Sequence, residues 1–369
     1  MIKIFEMFSG YGGASFALKK ANIPFECIGY SEIDKYAIRC FNQNFPNVKN
    51  YGDCTKINPE ELPDFDLLTG GFPCQSFSIA GKRKGIKDSR GTLFYEIIRV
   101  AKIKKPRYML LENVKGLLSI DNGETFKEMI KELKNIGYDI IYKVLNSKNY
   151  GIPQNRERVW FVCKFGKWEF NEFQFPEKEE LKIFIKNILE ESPNKKYYLS
   201  ELMQKRFKEY LEKKKPNESI YLDFKTKSGD KVANTIRSGS GSGNTPMVYD
   251  RKGFDSRTKG FRENELSPTL STKMGTGGNN VPMISNASPR EVGFKEISPS
   301  LLSRDYKDPK IVSGNLRRLT PRECFRLMGF LNDEINLNGL SDTQCYKLAG
   351  NGWDVNLVSK IFKRMFDKK

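Results

Sequence analysis

Short apolar runs alternate with longer amphipathic stretches along the first 165 residues. Runs rich in β-branched and aromatic residues predict buried strands, and these are Ile2–Phe8, Phe25–Ser31, Phe65–Thr69, Tyr108–Glu112, Tyr138–Asn146 and Arg158–Lys164. Stretches with apolar residues at helical spacing predict helices, and these are Gly13–Ala21, Lys35–Asn44, Leu93–Ile103 and Thr125–Ile136. This alternation is typical of an α/β fold with a doubly wound, mostly parallel sheet, whose ligands bind at the carboxyl ends of the strands.

The pattern changes beyond residue 165. Charged stretches at Glu177–Glu191 and Leu199–Lys214 predict helices, and a region rich in Gly, Ser, Thr, Asn and Pro follows them. Within that region a turn, an apolar residue and a Pro-initiated strand recur at 234–248, 268–284 and 299–312, which predicts three similar hairpins. We therefore expect a first domain at 1–165, a smaller, strand- and loop-rich domain at 166–315, and a helical segment at 316–369 that packs back on the first domain.

The 369 residues include 63 Lys and Arg against 45 Asp and Glu, a formal net charge of +18. Such an excess favours a polyanionic partner such as nucleic acid, although Lys-rich usage in an AT-rich genome gives the same excess. No apolar run of about 18 residues is present, and the N-terminus lacks the pattern of a signal peptide. We expect a cytoplasmic protein with no membrane span.

Histidine is absent, and the seven cysteines include no C-x-x-C pair. The lack of His excludes Ser-His-Asp triads, Cys-His proteases and His-based metal sites. An odd number of scattered cysteines argues against a zinc cluster or a disulfide framework, so we expect no metal. Any catalysis must therefore depend on Cys, carboxylates, Arg or Lys.

Glycines and carboxylates follow two of the predicted strands, and Asp53 follows Tyr51 and Gly52, where a further strand is expected to end. The glycine-rich loop Phe8–Gly13 leads into a helix N-terminus, where the backbone can approach a ligand closely. Glu32 ends the next strand and can accept both ribose hydroxyls of a nucleoside, and Asp53 can accept from an adenine amino group. These three positions together predict an adenosine-bearing cofactor. Ser15 stands where the dinucleotide fingerprint has its third glycine, which disfavours a nicotinamide-dependent oxidoreductase.

The segment Gly70–Ser78 follows an apolar strand and presents Cys74 between a proline and a polar loop. This placement favours an accessible, reactive thiol over the buried structural thiol that most free cysteines provide. The loop that follows, 79–92, carries glycines and five basic residues that can contact a phosphate backbone: Lys82, Arg83, Lys84, Lys87 and Arg90.

Two further polar segments border apolar strands. Glu112 comes directly after Tyr108–Leu111, so we expect its carboxyl to be partly desolvated, which favours the protonated form and a role as an acid. The segment Gln154–Arg158 leads into another apolar strand and offers Arg156 and Arg158 as fixed cations near the same edge. Surface salt bridges are the alternative duty for these two arginines.

The ordered series of these segments resembles the bacterial DNA cytosine-5 methyltransferases. The likeness covers residues 1–165 and 315–369, and its motifs are Phe8–Gly13, Gly71–Gln75, Glu112–Val114, Gln154–Arg158, Pro321–Cys324 and Gly350–Asn351. It implies an S-adenosylmethionine-dependent methyltransferase fold, with a variable target-recognition domain in the stretch between. Gly352 and Trp353 depart from the pattern, because many members of that family carry Ser and a small aliphatic residue there.

The resemblance also implies the residues of the site. S-adenosylmethionine would be surrounded by Phe8, Ser9, Gly10, Gly12, Gly13, Glu32, Ile33, Asp53, Cys54, Pro73, Leu93, Asn351, Gly352 and Trp353, with Ile33 packed on the adenine face. The implied catalytic residues are Cys74, Glu112, Arg156 and Arg158. Cys74 would add to carbon 6 of a flipped-out cytosine, Glu112 would contact ring nitrogen 3 and the amino group, and Arg158 would hold the carbonyl oxygen at position 2.

Contacts with double-stranded DNA are expected from both sides of the site. The candidates are Gln75, Ser76, Ser78, Lys82, Arg83 and Arg90 near the flipped base, and Arg237, Arg251, Lys273 and Arg304 in the hairpin region. Phosphate binding is an equal alternative for each of these arginines and lysines. We expect a monomer, with a cognate restriction endonuclease as a further partner.

Two other functions fit the same core. An RNA cytosine-5 methyltransferase would share the chemistry, but the long inserted segment favours an enzyme that recognises a DNA sequence. A catalytically silent DNA-binding protein is disfavoured because Cys74, Glu112 and Arg158 are all present.

Overall fold

The computed structural model describes residues 1–73, 92–198 and 316–366, together with six short strand segments between residues 220 and 285. Statements about the structure refer to these residues. The predicted helix at Leu199–Lys214 lies outside them.

A six-stranded sheet forms the centre of the molecule, with the strand order β2-β1-β3-β4-β7-β5. Its strands are β1 (Ile2–Met7), β2 (Phe25–Ser31), β3 (Leu67–Gly71), β4 (Tyr108–Val114), β5 (Tyr138–Asn146) and β7 (Glu157–Phe165), and the two-residue β6 (Gln154–Asn155) lies outside the sheet. The first four strands are parallel, whereas β7 is antiparallel to both β4 and β5. The predicted doubly wound, mostly parallel sheet is confirmed, and the short connection between β5 and β7 explains the antiparallel pair.

Four helices connect the strands of the first lobe, and their bounds agree with the predicted ones to within one residue. They are α1 (Gly13–Lys20), α2 (Lys35–Asn44), α3 (Thr92–Lys104) and α4 (Glu124–Asn135). The sequence marks where α2 begins, because the Asp34 side chain accepts from the backbone N–H groups of Tyr36 and Ala37. Short 3-10 segments fill the connections at Cys54–Lys56, Pro59–Glu61, Lys115–Gly123, Ser147–Tyr150 and Lys195–Tyr197.

The C-terminal residues form three helices that pack on one face of the sheet. These are α6 (Pro321–Arg326), α7 (Asp342–Asn351) and α8 (Val355–Phe366), and both α6 and α7 begin with a capping box. Val358, Ile361 and Phe362 of α8 share one buried cluster with Ala17 and Leu18 of α1. A second cluster fills the opposite face under α3 and α4, so the sheet is covered on both sides. No helix among the described residues is long and apolar enough to cross a membrane.

The predicted helix at Glu177–Glu191 is wrong over most of its length. Only α5 (Ile185–Ile188) is helical there, and the preceding residues cross the first lobe without regular structure. The backbone N–H of Glu179 donates to Asn149 O at 2.9 Å, and Lys360 binds the Glu179 carboxylate. These tertiary contacts replace the hydrogen bonds of the helix that the local propensities predicted.

The second of the three predicted hairpins, at 268–284, is wrong where the structure describes it, whereas residues 234–236 of the first and 299–312 of the third lie outside the described residues. The short strands are β8 (Ile220–Tyr221), β9 (Val248–Tyr249), β10 (Phe254–Asp255), β11 (Gly260–Phe261), β12 (Ser267–Pro268), β13 (Met283–Ser285) and β14 (Leu316–Arg318). β12 pairs with β6 and β13 pairs with β14, rather than with each other, and β9 pairs with β8. The repeat predicted strands near Val248, Pro268 and Met283, where the structure has them, but not their partners, because pairing depends on distant residues.

Candidate active site

The loop after β1 is bound to the end of β2 through Glu32. Gly10 N donates to Glu32 Oε2 at 2.9 Å, and the other carboxylate oxygen accepts from Ile33 N and Asp34 N. Phe8, Gly10 and Gly12 all have positive φ, which glycine adopts freely and Phe8 adopts at a cost. Glu32 therefore holds the loop in a shape that local preference alone would not give.

Open space borders this loop. A Cβ on Gly10 or Gly52 would meet no described atom within 4 Å, and the Ile33 side chain is 75% exposed. The Ser9 hydroxyl is buried and has no hydrogen-bond partner among the described residues. A carboxylate has lone pairs beyond the three N–H groups that Glu32 binds, so it can still accept ribose hydroxyls. These features fit an adenosine-bearing cofactor between the ends of β1 and β2.

Asp53 and Cys54 follow the same edge but have other contacts. Asp53 caps the 3-10 segment by accepting from the N–H and hydroxyl of Thr55, and these hydrogen bonds hold its pKa below the ordinary value. Cys54 is buried in the cluster under α3, where burial raises the pKa of its thiol to about 12. The structure thus turns the Cys54 side chain into the core, and Asp53 is the more exposed of the two.

Pro73, Leu93 and Asn351 are the outlying members of the predicted cofactor set. Pro73 and Asn351 are exposed, the first just after β3 and the second at the end of α7, while Leu93 is half-buried near the start of α3. Gly13 and Trp353 are buried, with the Trp353 side chain packed on Gly13, and Gly352 is half-buried.

Glu112 and Arg158 form an ion pair at the ends of β4 and β7. Arg158 Nε lies 2.7 Å from Glu112 Oε1, and both side chains are 12% exposed. The predicted desolvation of Glu112 is confirmed, and the pairing with Arg158 is an additional contact that the sequence did not predict. In the sheet, Glu112 is directly opposite Gly71 of β3. Gly71 precedes Cys74 by three residues in the sequence.

Arg156 is buried rather than exposed to a substrate, with 3% of its surface accessible. Its Nη2 donates to Gly352 O at 2.6 Å, which attaches the C-terminal segment to the first lobe. Desolvation lowers the pKa of Arg156, and the negative charges of Glu112 and Asp354 oppose that shift.

The end of β3 is also fixed to the end of β4. Asn113 Nδ2 donates to Phe72 O at 3.0 Å, so the backbone just before Pro73 is held beside Glu112. Cys74 lies outside the described residues, as do all the predicted DNA contacts: Gln75, Ser76, Ser78, Lys82, Arg83, Arg90, Arg237, Arg251, Lys273 and Arg304.

The sequence analysis did not identify Glu6, a buried carboxylate that binds the first turn of the helix after the cofactor loop. Glu6 is 2% exposed on β1, and its Oε1 accepts from both the backbone N–H and the hydroxyl of Ser15 in the first turn of α1. Gly12, the residue before α1, offers no side-chain cap, so Glu6 takes that role. The available signal was a carboxylate among the apolar residues Ile4, Phe5 and Met7 of β1.

Comparisons with known proteins agree with this arrangement. A sequence model of the family described as C-5 cytosine-specific DNA methylase matches residues 2–367. The chain is 35% identical to the type II methyltransferase M.Bsp6I of Bacillus sp. (strain RFL6), covering 99% of both proteins. It is 32% identical to the type II methyltransferase M.HhaI of Haemophilus parahaemolyticus, covering 98% of this chain and 93% of that protein.

A solved structure with the same fold is the Dnmt2 methyltransferase of S. pombe. Its TM-score is 0.66 at 20% identity, covering 100% of this chain and 99% of the other. At that identity the likeness shows the fold alone. The sequence matches confirm an enzyme that uses S-adenosylmethionine and acts on DNA, and they do not support the RNA alternative. The chain belongs to the family of C-5 cytosine-specific DNA methylases.

Proposed function

We propose that Cys74 is the nucleophile of a sequence-specific DNA cytosine-5 methyltransferase and that Glu112 and Arg158 bind the ring that it attacks. The supporting observation is the buried Glu112–Arg158 pair. Glu112 lies directly opposite Gly71 in the sheet, and Gly71 precedes Cys74 by three residues in the sequence. An acidic group next to a basic group matches a cytosine edge, which offers an acceptor nitrogen, an amino group and a carbonyl oxygen side by side.

The chemistry needs a covalent step because carbon 5 of cytosine is a weak nucleophile. The Cys74 thiolate adds to carbon 6, and the electron pair of the 5,6 double bond becomes available at carbon 5. Glu112 contacts ring nitrogen 3 and the amino group while charge accumulates on the ring, and Arg158 donates to the oxygen at position 2. After carbon 5 takes the methyl group, a base removes its proton and the bond to sulfur breaks. The chain contains no His, so we assign that proton to a water molecule.

S-adenosylmethionine, when bound, supplies an electrophilic methyl group on a positively charged sulfur. Glu32 would accept the ribose hydroxyls, Ile33 would cover one face of the adenine, and the Phe8–Gly13 backbone would approach the rest of the molecule. Asp53 would accept from the adenine amino group. Gly13, Pro73, Leu93, Asn351 and the backbone of Gly352 and Trp353 would complete the surroundings of the cofactor.

The target cytosine lies inside a duplex, so the enzyme has to flip the nucleotide out of the stack. We assign sequence recognition to residues 166–315 and closure over the flipped base to the loop that follows Cys74. Arg and Lys side chains in both segments would bind phosphates or base edges. We also propose a cytoplasmic location and a cognate endonuclease that acts on the same sequence, and the relatives named type II methyltransferases support the endonuclease.

Bisulfite sequencing of DNA from cells that express the protein tests activity and target sequence together. We expect complete protection of one cytosine within a single short sequence in cells that express the wild-type protein. Cells that express Cys74→Ser should show no protection at that cytosine. Purified protein should also form a covalent adduct with duplex DNA that contains 5-fluorocytosine at that site. Absence of an adduct from wild-type protein, with cofactor bound, would refute the covalent mechanism. Methylation of transfer RNA in preference to duplex DNA would refute the choice of substrate.

A further inference from the structure

Trp353 contacts three separate segments of the site from the far end of the sequence. Its Cβ would lie 3.2 Å from a Cβ on Gly13, the first residue of α1, so the indole side chain packs directly on the helix that follows the cofactor loop. The ring meets Trp160 of β7 edge to face, with centroids 5.1 Å apart and an interplanar angle of 76°. Trp353 is 8% exposed, so little of it is accessible to solvent.

The same indole lies against the end of β3. A Cβ added to Gly71 would stand 2.8 Å from Trp353 Nε1 and 3.2 Å from Glu112 Oε2. The indole N–H edge and the Glu112 carboxylate therefore border the same face of Gly71. A side chain at position 71 would collide with a rigid ring, which explains why glycine stands there.

The backbone on either side of the indole is held from the first lobe. Tyr11 Oη donates to Trp353 O at 2.5 Å, and Arg156 Nη2 donates to Gly352 O at 2.6 Å. Tyr11 belongs to the cofactor loop and Arg156 to the segment that leads into β7. Movement of Trp353 would break hydrogen bonds in buried surroundings, where their loss is costly. The ring is therefore a fixed wedge between the two glycines.

We propose that Trp353 is a positioning residue that sets the end of β3, three residues before Cys74 in the sequence, relative to Glu112 and the cofactor loop; this rests on the catalytic roles proposed above. The alternative is that Trp353 only forms part of the wall of the cofactor site. Loss of a positioning residue lowers the rate of the covalent step, whereas loss of part of the cofactor wall changes the affinity for S-adenosylmethionine.

The test compares Trp353→Val and Trp353→Phe with Trp168→Phe, a matched change at a tryptophan that packs on Tyr108 and Phe173. Three quantities are measured: the dissociation constant of S-adenosylmethionine by calorimetry, the single-turnover rate at saturating cofactor, and backbone hydrogen exchange of residues 67–73. For Trp353→Val we expect a rate at least tenfold lower, a dissociation constant within threefold of wild type, and faster exchange at 67–73. Trp353→Phe should be intermediate, and Trp168→Phe should match wild type.

Weaker cofactor binding by tenfold or more, with an unchanged single-turnover rate, would assign Trp353 to the cofactor wall and overturn the inference. Unchanged exchange at 67–73 in Trp353→Val would overturn it as well. Exchange and cofactor binding require no methyl acceptor. They decide the role of Trp353 even if wild-type protein fails to methylate DNA, an outcome that would instead reject the proposed function.

Discussion

Arg158 Nε approaches Glu112 Oε1 to 2.7 Å across two antiparallel strands, in a part of the sheet where both side chains are nearly buried. The register pairs Arg158 with Val114, two residues beyond Glu112, which is the diagonal relationship within reach of a long side chain. The pair is thus fixed by backbone hydrogen bonds rather than by a flexible loop. Substrate would meet an acidic and a basic group that are already oriented.

Glu112→Gln keeps the shape of the side chain and removes its charge. We expect the single-turnover rate of methyl transfer to fall by about 100-fold or more, in the range typical of a lost acid–base group. The affinity for S-adenosylmethionine should stay within about threefold, because Glu32 and not Glu112 borders the predicted nucleoside site. Glu124→Gln on the exposed surface of α4 is the matched control and should retain wild-type rates.

Glu32→Gln should weaken S-adenosylmethionine binding by about tenfold or more. The carboxylate accepts from Gly10 N, Ile33 N and Asp34 N, and charge-assisted hydrogen bonds of this kind contribute about 1.5–3 kcal/mol. Calorimetric titration measures the change. Glu26→Gln, at an exposed position on β2, the strand that precedes Glu32, is the control. Equal affinities for the two variants would show that Glu32 does not support the cofactor.

Glu6 predicts a pH dependence of stability. Burial raises its pKa to about 7, against hydrogen bonds from Ser15 that lower it, while the ordinary value is 4.5. Between pH 4.5 and 7 the folded protein keeps a proton that the unfolded chain has released, so the free energy of unfolding decreases as pH rises through this window and levels off above it. The total change from this group is about 3 kcal/mol.

Glu6→Gln removes this pH-dependent contribution to the free energy of unfolding, and its side-chain oxygen can still accept from Ser15. In urea denaturation at pH 5, 6, 7 and 8, we expect a flatter profile for this variant than for wild type, and a profile parallel to wild type for the exposed Glu169→Gln. Parallel curves for Glu6→Gln and wild type would mean that Glu6 titrates alike in the folded and unfolded states.

Arg317 and Glu323 form a fully buried ion pair at the start of the C-terminal segment, with side chains 1% and 0% exposed. Glu323 also accepts from Thr320 N and Glu190 N. Arg317→Met leaves this carboxylate buried without its cation, so we expect a loss of about 3–5 kcal/mol in the free energy of unfolding. Arg322, on the same helix as Glu323, forms an ion pair with Asp333, but the Arg322 side chain is 52% exposed, so Arg322→Met should cost about 1 kcal/mol or less. Similar losses for the two variants would contradict the importance of burial.

The first lobe could be predicted from sequence because each of its elements is defined locally. The bounds of β2, α2 and β5 agree with the predicted ones, since apolar periodicity and the Asp34 cap lie within the elements themselves. The helix predicted at Glu177–Glu191 is wrong for the opposite reason. Contacts with Asn149 and Lys360, which are distant in sequence, determine the path of this segment.

The same distinction separates the features of the site that the sequence predicted from those that it did not. Glu32 and Glu112 were found because they end apolar strands, a signal visible in one short window. The Glu112–Arg158 ion pair and the wedge formed by Trp353 could not be found, because they require the register of β4 on β7 and the docking of the last two helices. Short sequence motifs identified the residues of the site, whereas the contacts between them became visible only in the folded structure.

Gly352 and Trp353 join α7 to α8, yet they close the interior behind a site whose other residues come from the first half of the sequence. Without these two residues in place, Tyr11 and Gly71 lose their contacts with Trp353, so the cofactor loop and the end of β3 would loosen together. Local unfolding of α7 and α8 would therefore inactivate the enzyme while the central sheet stays folded.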